Sequence, residues 1–154
     1  MPTLTSEEAF QLSLLRGGGT VNGVGKCTTE KKILVVEDTE YLRFLMAEVL
    51  DSVGPSVEAL STADDSYSFL QEHAHTVAVL VADIRTPGRL DGVDLAKLVA
   101  SKWPHIKIVL TSGYSANSLS NFDAFDQFLA KPWSIDQLRG VVLKVLEDAD
   151  PSST

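Results

Sequence analysis

Disulfide and zinc chemistry lie beyond this chain, because its 154 residues hold one cysteine, Cys27. A lone thiol closes no internal bridge and supplies one ligand where a structural zinc site takes four; a bridge to another molecule through Cys27 stays open. Positive charge is also scarce: 13 basic against 21 acidic side chains leave a net charge of -8. Such a surface repels phosphate backbones and anionic headgroups, so neither nucleic acid nor membrane is expected as a partner. No apolar run reaches the length of a membrane span, and the N-terminus MPTLTSEEAF has no basic segment followed by an apolar one. A cytoplasmic protein is expected. What the chain does have is a 44% apolar share, enough to fill the core of one ordinary domain.

Half of the ten glycines fall at positions 17, 18, 19, 23 and 25. Residues 1–30 therefore read as a flexible leader with one short amphipathic patch around Phe10, Leu12, Leu14 and Leu15. The leader's GGGTVNGVGK is not a phosphate-binding loop: Gly25-Lys26 would need glycine at position 20 and Ser or Thr at 27, where Thr20 and Cys27 stand.

From residue 31 onward, short apolar runs alternate with helical periodicity. Strands are expected at 32–37, 56–61, 77–82, 106–111 and 126–130. The first, third and fourth are almost continuously apolar, the pattern of parallel strands covered by helices on both faces. Leu42, Leu45, Met46 and Val49 recur at helical spacing, as do Leu138, Val141, Val142 and Val145. Ser134 with Gln137, and Asp91 with Asp94, have the form of helix starts, and Pro104 marks a stop. The order is (βα)5, hence a doubly wound α/β sandwich with right-handed crossovers. The segment SANSLSNFDAF is expected to form a short fourth helix, since it holds little periodicity and several poor helix formers. The domain spans 31–147, followed by a tail at 148–154.

Ligands of open α/β sheets sit outside the carboxyl ends of the strands. There the first strand ends in Glu37-Asp38, the third in Asp83, the fourth in Thr111-Ser112 and the fifth in Lys131-Pro132. Each has a plainer role available, as a solvated helix start, a turn, a cap or an exposed lysine. Together they make a consistent chemistry. Three converging carboxylates recruit a hard divalent cation, and Mg2+ leaves coordination places for phosphate oxygens. Asp83 can then serve as a carboxylate nucleophile toward a phosphoryl group, with Lys131 as a cation and Thr111 as a hydroxyl donor. His73, His75 and His105 are read as surface residues of the loops, and Trp103 and Trp133 as packing residues.

The segments ILVVED, VADIRTPG with the following LDG, VLTSG and FLAKP resemble, in that order, the receiver domains of two-component response regulators. The separations fit as well: 45 residues from Asp38 to Asp83, 28 to Thr111 and 20 more to Lys131. The resemblance implies a flavodoxin-like sheet in strand order 2-1-3-4-5. It implies Asp83 as phosphoacceptor, with Mg2+ held by Glu37, Asp38, Asp83 and the backbone carbonyl of Arg85. Asp38 would ligate directly and Glu37 mainly through water. Lys131 would sense the phosphoryl group, Thr111 and Phe128 would act as switch residues, and the Lys131-Pro132 bond is often cis in such domains. The implied function is a stand-alone receiver charged by a histidine kinase or histidine phosphotransfer protein and read by a downstream protein, as a monomer or weak dimer. It would catalyse only its own phosphotransfer and dephosphorylation. A phosphate sink, or the receiver segment of a hybrid histidine kinase, is the alternative. Two positions depart from the family pattern: Thr86 stands where methionine is usual, and Gly113 puts no side chain two residues after Thr111. A phosphatase of the haloacid dehalogenase type is disfavoured, because Arg85 occupies the place of its second acid.

Overall fold

The computed structural model describes residues 31–113 and 125–149. Strand β1 (Lys32–Val36) leads into helix α1 (Glu40–Asp51), and β2 (Ser56–Leu60) into α2 (Ala63–His73). A 3-10 turn at Ala74–Thr76 connects to β3 (Val77–Asp83), which feeds α3 (Gly92–Lys102). Then come β4 (Lys107–Ser112), β5 (Gln127–Ala130) and α4 (Ile135–Ala149). Every strand pair is parallel and the sheet order is β2-β1-β3-β4-β5, the flavodoxin-like arrangement expected. The winding reverses between β1 and β3, which opens a crevice at their carboxyl ends. The leader 1–30, residues 115–124 of the expected fourth helix and the tail from 150 lie outside the described residues.

The apolar runs are continuous because both faces of the central strands are covered. All seven residues of β3 are buried, as are Ile33 to Val36 of β1. Alternation along each strand divides these side chains between two layers. Leu34, Val36, Leu80 and Ala82 pack with Leu70 of α2 and with Leu95 and Val99 of α3. Ile33, Val35, Val79 and Val81 pack with Met46 and Leu50 of α1 and with Leu138, Val142 and Val145 of α4. The helix starts are held by their own side chains. The Asp94 amide donates to Asp91 Oδ1 at 2.8 Å and the Asp91 amide to Asp94 Oδ2 at 3.1 Å. Ser134 and Gln137 exchange equivalent bonds at 3.0 and 2.8 Å ahead of α4. Both boundaries fall where the capping pattern puts them.

The chain re-enters the molecule after β3 through an unusually close approach. The Gly92 amide donates to the Ile84 carbonyl at 2.8 Å, which presses the first turn of α3 onto the end of β3. A Cβ at Gly92 would collide with the Asp83 carbonyl oxygen and lie 2.7 Å from Ile84 Cα, both of them backbone atoms. Gly140 on α4, by contrast, has open space around it. Gly92→Ala is therefore expected to lower the unfolding free energy by about 2–3 kcal/mol through forced backbone displacement. Gly140→Ala should raise it by about 0.5–1 kcal/mol through helix propensity. Urea denaturation of the two variants beside the parent checks both signs.

Candidate functional site

The ends of the central strands carry charged groups into the crevice from different depths. Although β1 ends at Val36, the Glu37 amide still bonds to the Leu60 carbonyl at 3.1 Å, so Glu37 stays locked to the sheet edge. Its side chain is 0% exposed, whereas that of its neighbour Asp38 lies in solvent. The acidic doublet thus divides into one interior and one surface carboxylate. The Arg43 guanidinium, one turn into α1, donates to the Glu37 carbonyl at 2.9 Å and fixes the bend between them.

Asp83, at the last position of β3, is buried, and Thr111 is its register partner on β4. Register partners on adjacent parallel strands point to the same face, so the Thr111 hydroxyl stands beside the Asp83 carboxylate. Lys131, two residues after Leu129 on β5, returns to that same face by alternation. Its amide bonds to the Ser112 carbonyl at 2.9 Å, and the following peptide bond to Pro132 is cis.

One cation binds this arrangement together. Lys131 Nζ lies 2.7 Å from Asp83 Oδ2 and 3.2 Å from Glu37 Oε1. The remaining carboxylate oxygens take backbone donors: the Arg85 amide reaches Asp83 Oδ1 at 3.1 Å, and the Thr39 amide reaches Glu37 Oε2 at 3.1 Å. Burial pushes the Glu37 carboxyl above its ordinary value; the Thr39 amide opposes this, Asp83 adds to it, and Lys131 opposes it again. For Lys131 burial acts downward, but the hydrogen bond and charge of Asp83, followed by those of Glu37, outweigh it and hold the ammonium above its usual range.

Glu37, Asp38 and Asp83 each present a carboxylate oxygen, all within 4.8 Å of one another. Three negative charges against one lysine leave an excess that a hard divalent cation would neutralise. Beside them the Thr111 hydroxyl is buried without a hydrogen-bond partner. A buried orphan donor next to a carboxylate has the character of a site awaiting an anionic oxygen.

Residues 33–143 match the response regulator receiver domain family. The chain belongs to this family. It is 29% identical to the response regulator receiver protein CpdR of Brucella abortus over 119 residues, which is 75% of this chain and 97% of that protein. It is 30% identical to the sensor kinase CckA of the same organism over 121 residues, 77% of this chain but 13% of the kinase. The chain also spans 24% of the hydrogenase transcriptional regulatory protein HoxA of Cupriavidus necator. Among solved structures, the receiver domain of NtrX from Brucella abortus superposes with a TM-score of 0.67 at 28% identity, covering 75% of this chain and 98% of that one.

In this receiver the structure brings Glu37, Asp38, Asp83 and Lys131 into one crevice, with Arg85 and Thr111 at its walls. Phe128 does not line it. Its register partner is Leu110, and it packs in the opposite layer with the side chains of α2 and α3. The histidines are exposed, and His105 Nε2 sits 3.0 Å from the Ala74 carbonyl, a loop contact as expected. Sequence reasoning passed over Arg43, because its work is on the backbone ahead of its helix and no pattern in its own segment announces it, and it read Gly92 only as the last residue of LDG, with no role of its own. It also passed over a groove of about 410 Å3 beside Lys131, lined by Leu42, Leu45, Pro132 and Trp133. Tyr41 and Phe44, 71% and 56% exposed, stand on the same helix α1.

Replacing Lys131 tests the charge balance. Lys131→Met leaves two buried carboxylates uncompensated and is expected to cost about 2–3 kcal/mol at neutral pH, below the range of a fully buried pair because the lysine is partly solvated. Without the cation, the folded-state pKa of Glu37 rises further. A carboxyl with a raised folded pKa destabilises above its unfolded value and ceases to do so as pH falls below that value. The deficit should therefore shrink toward acid pH and be partly recovered by adding Glu37→Gln, as read by urea denaturation at two pH values.

Proposed function

We propose that this receiver accepts a phosphoryl group on Asp83 from a histidine kinase or histidine phosphotransfer protein and signals by a conformational change that a protein partner reads. The observation that carries the reading is the Lys131 bridge between Asp83 and Glu37, at the mouth of a crevice where Asp38 completes a carboxylate cluster. A carboxylate oxygen of Asp83 forms the new O–P bond while the P–N bond of the phosphohistidine breaks. The electron pair leaves on the imidazole nitrogen, which takes a proton from solvent. The Arg85 amide on Oδ1 and Lys131 on Oδ2 hold the carboxylate oriented for attack.

The donor set fits Mg2+, with Asp38, Asp83 and the Arg85 carbonyl as direct ligands and Glu37 acting mainly through water. Glu37 suits the indirect role because its side chain is wholly buried, whereas Asp38 lies in solvent. When bound, the ion shields the charge of the incoming phosphoryl group. Lys131 supplies the protein's own cation to a phosphoryl oxygen, and the unpartnered Thr111 hydroxyl donates to another. Thr111 is then drawn toward Asp83, and Phe128, one position from Thr111's register partner Leu129, turns inward at the end of β5. That change reshapes the outward face of β5 and α4. The apolar groove beside Lys131, with Tyr41 and Phe44 on α1, offers a dry contact for the donor protein next to the reacting carboxylate.

A stand-alone role is supported by the match to nearly the full length of CpdR. The match to a segment of CckA supports a second reading, a receiver within a hybrid histidine kinase or a phosphate sink. Incubation with acetyl phosphate and Mg2+ should add one phosphoryl group to the parent and none to Asp83→Asn. Beryllium fluoride with Mg2+ should raise the melting temperature of the parent, with most of the rise lost in Asp38→Asn. Phosphorylation that persists in Asp83→Asn, or none in the parent from any donor, would overturn the assignment.

A further inference from the structure

Between Asp83 and α3 the chain makes a loop over residues 84–91, and a carboxylate from a different helix grips its far side. Asp64, in the first turn of α2, accepts the Arg89 amide on Oδ2 and the Leu90 amide on Oδ1, each at 2.9 Å. The loop is shaped to this carboxylate. Gly88 has φ +117, and a Cβ there would lie 2.5 Å from Asp64 Oδ2. At the neck of the loop, Ile84 donates its amide to the Thr111 carbonyl at 2.9 Å and receives the Gly92 amide at 2.8 Å. The neck is closed by backbone bonds, whereas at the far end the Arg89 and Leu90 amides both bond to one side chain 25 and 26 residues earlier in the chain, and the Leu90 side chain packs on the core.

We infer that Asp64 is a positioning residue for the metal site: by clamping the Arg89 and Leu90 amides it holds the loop in the conformation that presents the Arg85 carbonyl beside Asp83. This rests on the reading of the crevice as a Mg2+ site given above. A carboxylate that takes two backbone N–H groups makes charge-assisted bonds, and they restrict a segment that includes a glycine at positive φ and would otherwise sample many conformations. Ordering that segment in advance spares the cation the entropy of ordering it on binding. Asn at position 64 keeps one acceptor but turns an NH2 group toward the second amide, and Ala removes both acceptors.

The test measures Mg2+ binding to the full chain by calorimetry and amide exchange of Arg89 and Leu90 in the metal-free protein. Val145→Ala, on the buried face of α4, serves as a variant destabilised at a distance from the loop. Asp64→Ala is expected to weaken Mg2+ about tenfold, as loss of a ligand's supporting partner does elsewhere, and to expose both amides to exchange. Asp64→Asn should fall between, about threefold weaker. Val145→Ala should lose stability with its Mg2+ affinity intact. If Asp64→Ala frees the amides yet binds Mg2+ within twofold of the parent, the clamp is structural and the inference fails while the metal site stands. A parent chain that binds no Mg2+ overturns the site reading and the inference together.

Discussion

The crevice is organised by one ammonium group placed between two carboxylates that could not share it in water. Lys131 sits within bonding distance of both Asp83 and Glu37, and it is only 23% exposed. In that setting burial raises the Glu37 carboxyl and Lys131 opposes the rise, while burial lowers the lysine but Asp83 and then Glu37 outweigh it. Asp38 adds a third carboxylate oxygen within 4.8 Å of the other two, so negative charge exceeds positive in the crevice.

Holding those groups in place falls to backbone rather than to side-chain packing. Parallel register sets Thr111 beside Asp83, and alternation along β5 returns Lys131 to the same face. Gly92 lets α3 start against the end of β3, Arg43 anchors the bend after β1, and Asp64 bonds to the loop that follows Asp83. The Arg43 and Gly92 contacts are local, whereas Asp64 reaches 25 and 26 residues along the chain. Because both central strands are buried on both faces, their ends have little freedom to drift, and small changes at the crevice pass into the sheet's edge.

Much of this was legible in the order of residues. Continuous apolar strands told of a covered parallel sheet, the Asp91-Asp94 and Ser134-Gln137 pairs marked helix starts within a residue, and polar groups after each strand located the crevice. The differing depths of Glu37 and Asp38 were not legible, since adjacent carboxylates look alike until the bend after Val36 turns one inward. The placement of Phe128 follows from strand period: three residues from Lys131 in the chain, it lies in the opposite layer. Asp64 reads as an acidic residue in the first turn of a helix, a favourable but ordinary position, and its partners are revealed only when α2 packs beside the loop after β3.

By itself the sequence determined the class of fold, the edge of the sheet where chemistry would gather and the residue types gathered there, because periodicity and strand-end polarity are local properties of the chain. Only the tertiary structure decided which carboxylate is interior, which oxygen Lys131 engages and which distant residue bonds to the loop after Asp83. Those outcomes depend on distances of a few ångströms between segments that meet only after five strands have paired, and electrostatic energies change steeply over that range.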